Sequence, residues 1–160
     1  MKICFTKSAL AFALGAGMMV AAVQTRAESA QPPIEGVWQV TRHGVNCQTG
    51  QQVNSFPALM TFHKDGTIGS DAVAPGSTAA AGTAEHGLWQ REPGHQNYSF
   101  RLISYGWDNT GTFEGSIKVT GSLRLLSRDS FDYDATIEIL DAGGNLLATH
   151  CGQATGTRFE

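Results

Sequence analysis

The chain has 160 residues, 11 Lys and Arg against 14 Asp and Glu, a formal net charge of −3, and 41% hydrophobic residues. That length suits one domain with a real core. An acidic balance without any basic run argues against nucleic acid and anionic membrane surfaces as partners.

Residues 1–27 are expected to be a signal peptide. Lys2 and Lys7 precede an apolar run from Ala9 to Val23, and Thr25-Arg26-Ala27 offers cleavage after Ala27, with a cut after Ala22 as the alternative. The apolar run, at about 15 residues, falls short of the ~20 that a spanning helix needs. Its removal takes away Lys2, Lys7 and Arg26 and no acidic residue, which moves the net charge from −3 to −6. The expected destination is periplasmic or secreted, with no membrane attachment after cleavage. Residues 28–160 are then a single domain holding two cysteines, Cys47 and Cys151. In an oxidising compartment such a pair is expected to form a disulfide, and the absence of CxxC spacing argues against a reactive thiol or a metal site.

Glu28–Pro33 is a short polar lead. The first strand is expected over Ile34–Arg42, where Ile34, Gly36, Trp38 and Val40 alternate with Glu35, Val37, Gln39 and Thr41. A loop runs through His43, Asn46, Cys47 and Gly50 to Ser55. The second strand is Phe56–His63. Lys64-Asp65-Gly66 forms a tight turn, since Asp-Gly accepts the positive φ of hairpin turns, and Thr67–Asp71 returns as the third strand. Pro75–Thr83, rich in Ala, Gly and Ser, reads as a mobile loop. Strand four is His86–Arg91, and Glu92-Pro93-Gly94-His95 turns into strand five, Asn97–Trp107. Asp108-Asn109-Thr110-Gly111 leads into the longest alternating stretch, Thr112–Leu126. There Phe113, Ile117, Val119, Leu123 and Leu125 oppose Glu114, Ser116, Lys118, Thr120, Ser122 and Arg124, and Gly115 and Gly121 sit on the apolar side. Phe131–Leu140 repeats the pattern as strand seven, Leu146–Gly152 is strand eight, and Gln153–Glu160 is a tail able to pair further.

No segment of residues 28–160 has a helical period. Eight short strands with a turn between neighbours form an antiparallel meander. Closed, it is an eight-stranded up-and-down β-barrel without exposed edges; left open, it is a two-sheet sandwich. The cysteines favour closure. A disulfide needs Cα atoms within about 7 Å, and only a barrel makes the first and last strands neighbours.

Gly36-Val37-Trp38 on the first strand, with Arg158 near the C-terminus placed to cross the indole, resembles the lipocalins and their calycin relatives. Phe62-His63-x-Asp65-Gly66-Thr67 and Gly87-Leu88-Trp89 are similar to bacterial lipocalin-like proteins. The resemblance implies a calycin-type barrel, structural roles for Gly36, Trp38 and Arg158, and a small apolar ligand. One departure is the lack of the helix that lipocalins place beside their last strand. The eight-strand outline is also similar to allene oxide cyclase-like barrels.

Candidate interior residues come from the inward pattern. Small barrels either fill their lumen with side chains or leave space for one ligand. Both outcomes stay open here, because Gly69, Gly106, Gly115, Gly121 and Ala135 interrupt an aromatic set. In strand five, Tyr98, Phe100 and Leu102 form one face and Arg101, Ile103, Tyr105 and Trp107 the other. An inward second set would let Arg101 and Tyr105 supply polar contacts to an apolar ligand. The residues expected to contact a ligand are His63, His86, Trp89, Arg101, Tyr105, Trp107, Gly121 and Tyr133. Of the histidines His43, His63, His86, His95 and His150, His63 and His86 are expected inside, and no metal site or cofactor is expected, because no HxH or HxxxH pairing occurs. No nucleophile elbow, P-loop or dinucleotide fingerprint occurs. Three functions follow as expectations: a barrel binding a small apolar molecule; a cyclase or isomerase of the allene oxide cyclase-like kind; or a periplasmic barrel that binds a protein or inhibits an enzyme through its loops.

Overall fold

The computed structural model describes residues 33–73, 76, 82–94 and 96–159. The expected signal peptide, all of the Glu28–Pro33 lead but its last residue, most of the Pro75–Thr83 loop and His95 lie outside the described residues.

Eight strands form one closed antiparallel barrel in chain order: β1 (Gly36–Val45), β2 (Gln52–Phe62), β3 (Thr67–Ala72), β4 (Glu85–Arg91), β5 (Asn97–Trp107), β6 (Phe113–Ser127), β7 (Ser130–Asp141) and β8 (Leu146–Arg158). The stretch after Gly152 is therefore strand and not tail: it pairs with β7 on one side, from Asp134↔Gln153 to Ser130↔Thr157, and with β1 on the other, from His43↔Gln153 to Trp38↔Arg158. This ladder removes both edges of the sheet. The Cys47–Cys151 disulfide, with a Cα–Cα distance of 5.2 Å, staples the loop after β1 to β8 where the two strands meet.

The ends of the barrel differ. At the end where β1 begins, Trp38, Phe62 and Phe131 are almost completely buried. Their rings pack at 4.9 Å (Trp38–Phe131) and 6.1 Å (Phe62–Phe131), and Trp89 and Tyr98 continue the cluster. Burying side chains of this size contributes about 1.5–3 kcal/mol each. Arg158 closes this end. Its guanidinium stacks 4.3 Å from the Trp38 ring centroid and donates to the carbonyls of Pro33, Glu35 and Arg128, and the Trp38 indole N–H donates to Ile34 O. Gly36, Trp38 and Arg158 thus come together at this end of the barrel. An added Cβ at Gly36, whose φ is +129°, would meet the Arg158 guanidinium.

A bulge alters the far end of the β5–β6 hairpin. Gly106 faces Gly115, but Trp107 faces Phe113, so Glu114 has no partner. That extra residue turns Phe113 out of the inward set, and it packs against Tyr105 and Trp107 on the outer face. The expectation that Phe113 shares the apolar inner face with Val119 fails for this reason.

Candidate functional site

At the end opposite Arg158 the inward-facing Ile117 stays partly exposed, and a layer of buried polar side chains crosses the lumen beneath it. Arg42 follows Trp38 and Val40 on the inward face of β1. Its guanidinium reaches β4, where Nη1 donates to Glu85 Oε1 at 2.9 Å and Nη2 to Oε2 at 2.6 Å, and Nη2 also donates to Ser70 Oγ on β3 at 2.9 Å. Arg42 is 8% exposed and Ser70 3%. Paired, bidentate geometry is what permits such burial, since an unpaired charge there would cost several kcal/mol. The Arg42 Nε–H has no acceptor.

Tyr133 on β7 completes the layer, with Ala154 of β8 paired to it on one side and to Arg42 on the other. Burial raises its phenol above the ordinary tyrosine range, and the neighbouring Arg42 charge only partly opposes this, so the hydroxyl stays protonated. Burial works against the Arg42 charge, but the bond to Glu85 and the adjacent Tyr133 outweigh it, and its pKa is raised.

Above this layer the inner wall is mainly apolar, with Ser104 and His150 as its polar members. Ile117 pairs with Ser104 and Ile139, and Ile137 pairs with Val119 and His150. Directly paired residues share a face, and Val119 is buried inward. Ile117, Ile137, Ile139 and His150 therefore line the inside of this end. Ile117 is nevertheless 40% exposed. The result is an apolar cup with a polar floor.

Of the expected ligand contacts, Tyr133 lies in this layer. Gly121 faces the lumen, but the Phe100 ring occupies the space beside it, and an added Cβ would run into that ring. The opening expected at Gly121 is therefore filled core. Trp89 belongs to the closed end, where its indole N–H donates to His63 O at 2.9 Å. His63 and His86 are exposed, not interior. In β5 it is Tyr98, Phe100 and Leu102 that are buried, so Arg101, Tyr105 and Trp107 face outward. The choice follows from pairing: Phe100 faces Gly121 and Leu102 faces Val119 across the ladder, which puts the aromatic-aliphatic set inside. Among the described residues no three His, Cys, Asp or Glu side chains come together as a cation site.

Two shallow outer grooves, of about 620 Å³ and 540 Å³, lie away from this layer. One runs over Gln39, Thr41, Leu59 and Asp71, and the other lies beside Cys47, Thr120 and Thr136. Neither contains Arg42, Ser70, Glu85 or Tyr133. Size alone does not outweigh converging, desolvated polar groups as the mark of a binding site.

No family model and no curated protein matches the chain. Among solved structures it is similar to EF1p2_mFAP2b bound to DFHBI, at 17% identity and a TM-score of 0.51, covering 78% of this chain and 93% of the other. In fold the chain is a lipocalin-like barrel. Arg42 and Glu85, the charged residues of its lumen, were not among the sequence candidates. Their signal was present: Arg42 continues the Trp38 and Val40 register, and Glu85 stands two residues before Gly87 and four before Trp89. A charge at a strand terminus reads as a boundary, and so it conceals an inward position.

Proposed function

We propose that this chain is an exported lipocalin-like barrel that binds one small, mainly apolar molecule in the end opposite Arg158. One contrast carries the reading. Ile117 faces inward yet is 40% exposed, whereas Arg42, deeper in the lumen, is charged yet only 8% exposed. A barrel built for stability alone would do the reverse. An apolar cup with a few converging polar groups is the usual composition of a small-molecule site. The neighbouring fold of EF1p2_mFAP2b, bound to DFHBI, supports the use of such a barrel for a small molecule.

Two tests apply. Native mass spectrometry of protein from its own host should show a co-purifying small molecule. Titration with the fluorophore 6-propionyl-2-(dimethylamino)naphthalene should give about one site per chain, and Ile117→Glu, which puts a charge on the apolar wall, should weaken it by about ten-fold or more. Unchanged affinity in a folded Ile117→Glu protein would move the site to an outer groove. Export is supported by the disulfide, and N-terminal sequencing should find the secreted or periplasmic protein starting within a few residues of Glu28.

A second reading, an allene oxide cyclase-like cyclase or isomerase, is favoured by Glu85, a carboxylate at the floor of the same cup. Both its oxygens accept bonds from Arg42, which ties up the base. A Glu85→Gln protein that keeps its ligand but no longer converts it would favour the enzyme.

A further inference from the structure

We infer that the molecule held in the cup carries a neutral hydrogen-bond-accepting oxygen at its inner end, such as a ketone, amide or ester carbonyl, and not a carboxylate. This rests on the cup being the binding site and goes on to name the chemistry of what it holds.

The charge balance of the floor is the first reason. Among the described residues Arg42 is the only Lys or Arg of the layer, and both of its bonds to Glu85 are short, at 2.9 Å and 2.6 Å. The pair is neutral as a unit. A ligand carboxylate at the floor would bring a second anion beside Glu85, whose cation Arg42 is already engaged, at a depth where charges are poorly solvated. A ligand ammonium would meet Arg42 in the same way.

The donor inventory is the second. A guanidinium has five N–H donors and no acceptor. Glu85 and Ser70 take three of those bonds, and Nε–H has no acceptor although Arg42 is 92% buried. The Tyr133 oxygen lies within hydrogen-bonding reach of the Arg42 guanidinium, and its own O–H, kept protonated by burial, remains a donor. The floor thus has donors to spare and no spare charge. A buried donor without a partner is costly, and a carbonyl oxygen supplies the missing acceptor without adding charge. The layer is not sealed, since the Arg42 and Glu85 side chains keep 10% and 14% of their exposure.

The test uses three probes with one apolar body: 2-(dimethylamino)naphthalene, its 6-propionyl ketone and its 6-carboxylate, titrated at neutral pH. The ketone should bind about ten-fold or more tightly than either of the others, the scale of one hydrogen bond from a charged donor. Replacing the layer by apolar side chains, Arg42→Met with Glu85→Leu, should leave the headless probe unchanged and erase the preference for the ketone. The ranking in the wild-type protein decides by itself, so a double variant that does not fold leaves the test intact. A carboxylate that binds as tightly as the ketone, or a headless probe that does, overturns the inference while leaving the cup as a binding site. If none of the three binds the folded protein, the binding reading fails and this inference fails with it.

Discussion

Breaking the Arg42–Glu85 pair one residue at a time should be far more damaging than replacing both. Glu85→Leu leaves a guanidinium that is 10% exposed on its side chain without its carboxylate, and Arg42→Met strands a carboxylate that is 14% exposed. Removing one partner of a buried pair costs about 3–5 kcal/mol, because the orphaned charge keeps its desolvation penalty. At roughly 4 °C per kcal/mol for a domain of this size, either single variant should lose about 12–20 °C in Tm. The double variant Arg42→Met/Glu85→Leu removes both charges at once and should return to within about 1 kcal/mol of the parent, since apolar residues of similar volume often replace a buried pair without loss. The assay is urea unfolding followed by tryptophan fluorescence, arranged as a double-mutant cycle with a coupling of about 3 kcal/mol or more expected. Additive costs, with the double variant as unstable as the two singles together, would show that the residues do not act as a pair. They would also refute the neutral floor on which the ligand argument depends.

The closing disulfide spans 104 residues, and in the chain-entropy model a loop of that order contributes about 4–5 kcal/mol, less any strain. Cys47→Ser with Cys151→Ser should therefore lower Tm by many degrees with strand content retained, and thiol titration of unfolded, unreduced mature protein should find no free thiol. Gly121→Ala and Gly156→Ala drive a Cβ into the Phe100 and Phe131 rings respectively, and overpacking of this kind should cost about 1–3 kcal/mol in urea unfolding. Tyr133 has a folded-state pKa above its unfolded value, so its contribution is complete below the unfolded pKa of about 10 and is lost as pH rises through the folded value. Its phenolate absorbance should accordingly appear with alkaline unfolding, and Tyr133→Phe should flatten the loss of stability above pH ~10.

Alternation along the chain was enough to locate the strands, because a side-chain period of two is a local property. Phe131–Leu140 and Asn97–Trp107 could be read almost to the residue, and Asp65-Gly66 identified its turn. The two cysteines argued for closure, since a bond between Cys47 and Cys151 demands that the first and last strands meet. Alternation defines two faces but not which one is inside, and β5 carries apolar residues on both. Only the ladder with β6, which sets Phe100 against Gly121 and Leu102 against Val119, turned Arg101 outward. Residue counting also fails across a bulge: the unpaired Glu114 reversed Phe113 without leaving any trace in the pattern. The floor of the cup was the least legible part. Arg42 and Glu85 are 43 residues apart in the chain, and each by itself is a charge at a strand end, where solvent is the ordinary expectation. Closure of the sheet brings them face to face across the lumen, and a buried charge becomes affordable only once its partner is there.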